Sequence, residues 1–497
     1  MSVLRKIFHP DKNASLPQKA VQSVFWVFLL RVSARGLQVL RVIIVAGILS
    51  PEDFGLFGIV LLSVSMLEAV TQSGFDTALI QKNKDIRDDL DTAWVVQITR
   101  GILLTIIMFL SAPLISAFFN RPDAAFLIRM TAFIIAVRGF KNIGVVYFIK
   151  DLEFKKAYIY QISGILSGLI VTIVGALLLR NVWAFFWGQI IGDIIQTIFS
   201  YIVHPYRPVL RFNPQRAKEL YSFGRWIMIR NILQYFNTHG DDILAGKMLG
   251  TVSLGLYQVA YRMSDKFLFE VRNISAQVAL PLYSIIQQDK KRLKRVYLES
   301  FKLSLLLSVW IAGGLFILAP EFVLIFMGSK WQPMVPALRI LTAAGLLNAL
   351  SPLVGPLLTS VGRPDVTAKI VFARFVVIAG AIYPMTLHFG IQGTAITVAV
   401  SLMITLPLLY YQAKRLVMIE YSHLLKAMLP SISSGAVMIV ITGIFKRSIP
   451  TDQWGLLTFT GFCLGASIVY FGVLFLWEKV RPSGGYIDII KRRVLGR

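Results

Sequence analysis

Long apolar runs, separated by short polar and charged segments, follow one another almost from end to end of the chain. The first, from about Ala20 to Ile48, lies behind a basic segment holding Arg5, Lys6, Lys12 and Lys19. It is too long for the apolar region of a secretion signal, carries Arg31, Arg35 and Arg41, and is followed by no small-residue cleavage site, so it reads as a retained first helix. Hydropathy and the punctuation of Pro, Gly and charge place further spans near Phe54 to Gly74, Thr92 to Phe118, Ala124 to Ile149, Ala157 to Leu179 and Trp183 to Val203. A basic connection over 204–218 follows, then spans near Leu220 to Met248, Ser253 to Ile285, Ser300 to Leu318, Pro333 to Val361, Val366 to His388 and Gly393 to Ala413. Leu424 to Phe445 and Gly455 to Trp477 complete the set.

The expected organisation is a basic N-terminus over 1–19, an N-lobe of six helices over 20–203, the linker, and a C-lobe of six helices over 219–413. Two further helices over 424–477 and a basic tail over 478–497 close the chain. Composition agrees: the 497 residues are 56% hydrophobic and 15% charged, whereas a soluble protein carries about 25% charged residues. About 14 spans would take up roughly 280 to 310 residues and leave only short loops. The expected fold is an all-α integral membrane protein.

The net charge of +25 does not mark nucleic-acid binding, because Lys and Arg come in small groups between apolar runs and not in one stripe. With the N-terminus inside, about 28 Lys and Arg fall on the cytoplasmic side and about 5 outside, so both termini are expected in the cytoplasm. Lys290, Lys291, Arg292, Lys294 and Arg295 share one such loop. Trp94, Trp183, Trp331, Trp454 and Trp477 stand at span ends, as an interfacial belt or as ordinary helix packing. A single cysteine, Cys463, and five histidines without metal-ligand spacing predict no disulfide framework, no metal and no cofactor.

An internal repeat runs at an offset of 200. Trp26 to Phe57 and Trp226 to Tyr257 align without a gap, matching Trp26 with Trp226, Ile43 with Ile243, Leu49 with Leu249, Gly55 with Gly255 and Leu56 with Leu256. An even number of spans separates the copies, so the repeats are parallel. That is the layout of a transporter whose two lobes face a central cavity and alternate its access.

A charge inside a span costs about 2.5 to 3.5 kcal/mol and needs a partner, water or an interface. Arg31 and Arg35 share a face of the first helix, with Arg41 about 80° round from Arg31. Facing lipid, the three would cost roughly 8 to 10 kcal/mol, so they are expected to face the interior. The seventh and eighth spans add Arg225, Arg230, Arg262, Asp265, Lys266, Glu270 and Arg272. The functional reading is a cationic cavity lined by Arg31, Arg35, Arg41, Arg230, Arg262 and Lys266, which binds phosphate and sugar, since the guanidinium fork matches phosphate oxygens. The competing reading is interhelical ion pairs and snorkelling side chains. Asp193, the only charge of the sixth span, with Asp241, Asp242 and Glu68, are candidate ion-coupling carboxylates, while Asp241 and Asp242 also fit a structural role. Arg100, Arg138, Lys141 and Arg374 are further basic residues within spans. Gly164 with Gly168, and Gly461 with Gly465, have the spacing of close helix packing. Tyr486 to Arg497 reads as an amphipathic anchor on anionic lipid or as a plain basic tail.

Three segments carry a family resemblance. Ile48-Leu49-Ser50-Pro51-Glu52-Asp53-Phe54-Gly55-Leu56-Phe57 resembles the first turn of bacterial polysaccharide flippases, the O-antigen and exopolysaccharide exporters of the multidrug/oligosaccharidyl-lipid/polysaccharide superfamily. Asp241-Asp242-Ile243-Leu244-Ala245-Gly246-Lys247-Met248-Leu249-Gly250, continuing to Leu254-Gly255-Leu256-Tyr257, resembles its second-lobe counterpart, and Val278-Ala279-Leu280-Pro281-Leu282-Tyr283-Ser284 also fits. The colanic-acid-exporter-like branch is the most similar. The resemblance spans the chain in span count and order, but its motifs are structural turns. It implies a non-enzymatic flippase of the bacterial inner membrane, handling an undecaprenyl-pyrophosphate-linked oligosaccharide, coupled to a proton or cation gradient and working beside polymerase or export machinery. A cation-coupled drug exporter of the same superfamily and a membrane-embedded polymerase or ligase are the alternatives. The basic first helix argues against the drug exporter, and the short external connector Ala319 to Gln332 against the enzyme.

Overall fold

A chain that crosses hydrocarbon must satisfy its backbone internally, which a helix does within one segment. The computed structural model describes residues 16–71, 79–80, 86–350, 354–360, 364–417, 420–450 and 454–480, and among these there is no strand. The helices are α1 (Leu16–Ile48), α2 (Pro51–Thr71), α3 (Arg87–Phe118), α4 (Ala124–Gly139), α5 (Val146–Lys150), α6 (Phe154–Leu179) and α7 (Trp183–Val203). Then come α8 (Pro214–Ile286), α9 (Lys290–Met327), α10 (Val335–Ala349), α11 (Val354–Ser360), α12 (Pro364–Val417), α13 (Tyr421–Arg447) and α14 (Leu456–Val480). Nine of the described helices are long and apolar enough to cross a membrane, or ten if the bent pair α4 and α5 forms one span. The protein is a multi-pass membrane protein. The basic segment 1–15 and the expected anchor over 486–497 lie outside the described residues.

Among the described residues the expected spans fall on helices in the expected order, but α1 is not among those apolar enough to cross, the tenth, expected over Pro333 to Val361, is divided between α10 and α11, and others differ in shape. The seventh and eighth run on through a kink at Gly250 (φ 79°), and the eleventh and twelfth through one at Gly390 (φ 56°). Both are left-handed positions that glycine adopts without strain. The fourth, expected unbroken from Ala124 to Ile149, is broken after Gly139 and bends by 67°. The expected external loop Ala319 to Gln332 is mostly the end of α9, because the apolar run continues to Met327 despite Pro320. Trp331, at an expected interface, is fully buried and belongs to the core.

The chain divides into two compact units, Met1–Gly255 and Leu256–Arg497, so the seventh expected span lies in the first. In the N-terminal unit, Ile59, Leu104, Met108 and Ile128 pack α2, α3 and α4 together. Helices α6 and α7 cross at glycines: a Cβ on Gly192 would stand 2.8 Å from the Gly164 carbonyl, and one on Gly168 3.0 Å from that of Gly188. The Gly164/Gly168 spacing thus marks a close crossing, whereas Gly461 and Gly465 have open space beside them. The turn into α2 is capped reciprocally, the Ser50 amide donating to Asp53 (3.0 Å) and the Asp53 amide to Ser50 Oγ (3.2 Å), with Pro51 at the first helical position. The connection after α7 is tied to the start of α3. Val209 N donates to Asp91 (3.0 Å), Asn213 N to Thr92 (3.2 Å), and Arg216 pairs with buried Asp89 (3.3 Å). In the C-terminal unit, Tyr283, Tyr297, Phe301 and Tyr470 form the core, and Lys446 on α13 pairs with Glu321 on α9 (2.8 Å).

Candidate functional site

Charged and amide side chains from four helices gather at one place in the N-terminal unit. Arg138, in the last turn of α4, donates to Glu68 on α2 (2.9 Å) and to Asp193 on α7 (3.2 Å). Gln189, one turn before Asp193, donates to the same carboxylate oxygen (2.8 Å). Arg100 on α3 donates to Thr71 Oγ1 (3.1 Å) and to the Glu68 carbonyl (3.4 Å). The guanidinium of Arg138 is therefore held by two carboxylates, and Asp193, 9% exposed at its side chain, has its charge balanced from another helix. This is how an ion survives inside an apolar bundle.

The break in α4 belongs to the same site. Ending a helix frees carbonyls that need donors. Gln97 on α3 supplies both of its amide hydrogens, to the Gly139 carbonyl (2.9 Å) and the Lys141 carbonyl (3.0 Å). Asn142 then starts the next short turn, its amide donating to Ser200 (2.9 Å) and its side chain accepting from Gly144 N (2.9 Å). Gly101 and Gly139 let α3 and α4 approach here, a Cβ on Gly101 lying 3.1 Å from Gly139 Cα. Lys141, just past the break, stands over the Tyr160 ring at 5.6 Å.

Two adjoining cavities open on this cluster. One, of about 310 Å³, is lined by Glu68, Gln97, Arg100, Arg138, Lys141 and Asp193 among others. The second, of about 200 Å³, shares Asp193 and Gln196 with it and adds Gln38 and Arg41 from α1 and Gln189 from α7. Four cations, Arg41, Arg100, Arg138 and Lys141, face two anions, Glu68 and Asp193, among four glutamines. An excess of donors with a positive balance suits an anionic, hydroxyl-rich ligand.

The sequence-expected residues divide as follows. Arg41 lines the second cavity, whereas Arg31 and Arg35, half-buried on α1, line neither. Glu68 and Asp193 come together on Arg138. Asp193 is thus the only charge of its own helix but is partnered across helices. Asp241 is buried and accepts the Asp242 amide (3.0 Å), while Asp242 faces His239 (3.3 Å), and neither lines the two cavities. Arg262 is half-buried in the C-terminal unit. The side chains of Arg225, Arg230, Asp265, Lys266, Glu270 and Arg272 lie outside the described residues. Missing from the expected set were Arg100, Arg138 and Lys141 as site members, and the glutamines altogether. Their signal is polar residues at helical spacing in apolar runs: Gln97 with Arg100, and Gln189 with Asp193 and Gln196.

Against known proteins, residues 44–336 match the family described as polysaccharide biosynthesis protein. The lipopolysaccharide biosynthesis protein WzxC of Escherichia coli (strain K12) is 26% identical over 369 residues, covering 73% of this chain and 75% of that protein. The succinoglycan biosynthesis transport protein ExoT of Rhizobium meliloti (strain 1021) is 23% identical over 374 residues, 75% of each. Among solved structures, the lipid II flippase MurJ in an inward closed conformation superposes with a TM-score of 0.73 over 92% of this chain and 99% of that one. At 16% identity, that likeness shows a shared fold.

Proposed function

Since the chain belongs to the polysaccharide biosynthesis protein family, we propose that it is a flippase moving an undecaprenyl-pyrophosphate-linked oligosaccharide from the cytoplasmic to the periplasmic leaflet of a bacterial inner membrane. The observation that carries this reading is the cavity of Arg41, Arg100, Arg138 and Lys141 among glutamines, set inside an apolar helical unit. A pyrophosphate and sugar head cannot enter hydrocarbon unaided, whereas its prenyl chain can remain there. The cavity arginines supply planar donor pairs to the phosphates, and the glutamines supply donors and acceptors to sugar hydroxyls. No bond is made or broken, so the protein is a transporter and no enzyme.

The Glu68–Arg138–Asp193 group supports coupling to a proton or cation gradient, read here for the proton. While both carboxylates are charged they hold Arg138; a proton on Asp193 or Glu68 releases part of its fork, which is then offered to an anionic head. Both termini lie in the cytoplasm, and alternating access serves the two leaflets in turn. Arg31, Arg35, Arg230, Arg262 and Lys266 remain candidates for binding phosphate on the ground of their charge within apolar spans. Asp241 and Asp242 are secondary coupling candidates.

The test is to deplete the protein in its host and follow complete lipid-linked repeat units by leaflet. Accumulation on the cytoplasmic side is the expected outcome. Normal translocation, with unpolymerised units outside, would replace this reading with an enzymatic one.

A further inference from the structure

Farther along α2 and α3 from the charged cluster lies a third cavity, of about 510 Å³, between these helices and the N-terminal half of α8. Its floor is buried Leu62, Ser63, Phe119 and Tyr235. Its rim carries exposed Met66, Ile107 and Leu114, the last 75% exposed, so it opens sideways from the unit as a groove. The few polar atoms in its wall are already spent. Ser63 Oγ donates to the Ile59 carbonyl (2.8 Å), Ser111 Oγ to that of Met108 (3.3 Å), and the Tyr235 hydroxyl to that of Leu62 (2.7 Å). A cavity whose hydroxyl donors are spent and whose wall is otherwise apolar side chains favours an apolar occupant over water.

The groove adjoins the charged cavity along two helices. On α2, Leu67 lines the groove and the next residue, Glu68, lines the charged cavity. On α3, Leu104 lines the charged cavity and Ile107, about one turn on, the groove. One ligand that fills both is an amphiphile with an anionic, hydroxylated head and an apolar chain. In the expected orientation α3 runs outward from the cytoplasm. A lipid held by its head among Arg100, Arg138 and Lys141 would then lay its chain outward along Ile107 and Leu114, from the middle of the expected span toward its outer end.

We infer that the groove between α2, α3 and α8 binds the first part of the polyprenyl chain of the carrier lipid while the head occupies the charged cavity. This rests on the flippase reading above. The four glutamines of the cavities offer more donors and acceptors than the two hydroxyls of a glycerol head use, which favours a saccharide carrier over a bilayer phospholipid.

The test uses the full chain in vesicles of phosphatidylethanolamine and phosphatidylglycerol containing undecaprenyl phosphate. A photoreactive residue is placed singly at Met66 or Leu114 in the groove, at Gln196 in the charged cavity, or at Leu178, exposed on α6, as a lipid-facing reference. Mass spectrometry of the adducts should give a prenyl-phosphate to phospholipid ratio about tenfold higher at Met66 and Leu114 than at Leu178, a preference of about 1.4 kcal/mol. A ratio equal to that at Leu178 at both groove positions overturns the inference. If Gln196 captures prenyl phosphate while the groove does not, the groove fails and the flippase reading stands. If no position enriches prenyl phosphate, the groove inference is overturned, and the leaflet assay above decides the flippase reading by itself.

Discussion

Gly55 and Gly255 each lie against the turn that precedes the other. A Cβ on Gly55 would overlap the Thr251 carbonyl, and one on Gly255 would overlap the Pro51 carbonyl and come within 2.9 Å of Gly55 N. The pair is also the internal repeat's own pair, 200 positions apart, as are Pro51 and Thr251. Arg121 closes the arrangement from the loop after α3, donating to Glu52 (2.6 Å) and to Thr251 Oγ1 (2.6 Å). Because the contact is reciprocal, Gly55→Ala and Gly255→Ala should destabilise in the same direction, each by about 1 to 3 kcal/mol through forced backbone movement. Gly314→Ala, with open space beside it in α9, should be neutral or stabilise by up to about 1 kcal/mol. Thermal unfolding of the detergent-solubilised protein reads all three; unequal signs at Gly55 and Gly255 would contradict the reciprocal packing.

Arg138 holds two carboxylates, so removing it should do more harm than removing either of them. Arg138→Gln leaves Asp193 and Glu68 facing each other without their cation; Asp193 is buried but Arg138 and Glu68 are about a third exposed, so the cost falls below that of a fully buried pair, at about 1 to 3 kcal/mol. Adding Asp193→Asn and Glu68→Gln to Arg138→Gln removes the stranded charges and should restore much of the stability while transport stays absent. Recovery of transport with stability would show that the cluster is only structural.

How much of this was legible in the sequence varies by element. The helices were, because an apolar run of about 20 residues permits little else in lipid. The repeat gave the Gly55 and Gly255 pair as an alignment, but contact between its members is a tertiary fact that no spacing encodes. The cost of buried charge drew attention to Arg31 and Arg35, which have no acid on their own helix. The same rule, applied within single helices, passed over Arg138, whose acids sit on α2 and α7. The break in α4 hid for a similar reason. Its local signal, Gly139, Asn142 and Gly144 in a short run, was outweighed by apolar continuity, and the side chain that stabilises it, Gln97, comes from α3.

Gln97 gives a direct check on that break. Gln97→Leu keeps the size and strands two carbonyls at the end of α4, so it should destabilise by about 1 to 3 kcal/mol. The loss should appear locally, as faster hydrogen exchange over 139–145, with α6 and α7 unchanged. Uniformly faster exchange across the unit would mean that Gln97 supports the fold generally and not the break.

The connection after α7 should loosen in mild acid, and His204 decides the sign. Its Nδ1 accepts the Tyr206 amide (3.1 Å), and its ring stacks parallel to Tyr147 at 5.6 Å, an arrangement that needs the neutral imidazole. Burial first, then Lys156 and Arg207, push its pKa below the ordinary value, against the opposing pull of Glu153 and Asp151. With the folded pKa below the unfolded one, near 6.5, both states are neutral above about pH 7 and the contribution is complete there. As pH falls through the unfolded value the unfolded chain binds the proton more readily, and stability is lost progressively toward the folded pKa. Between about pH 7.5 and about 5.5, hydrogen exchange at Tyr206 and Val209, corrected for its intrinsic pH dependence, should therefore accelerate. His204→Phe keeps the stacking and removes the acceptor, so its exchange should be fast at every pH and flat across this window. A variant with the wild-type pH dependence would show that His204 is not the titrating group.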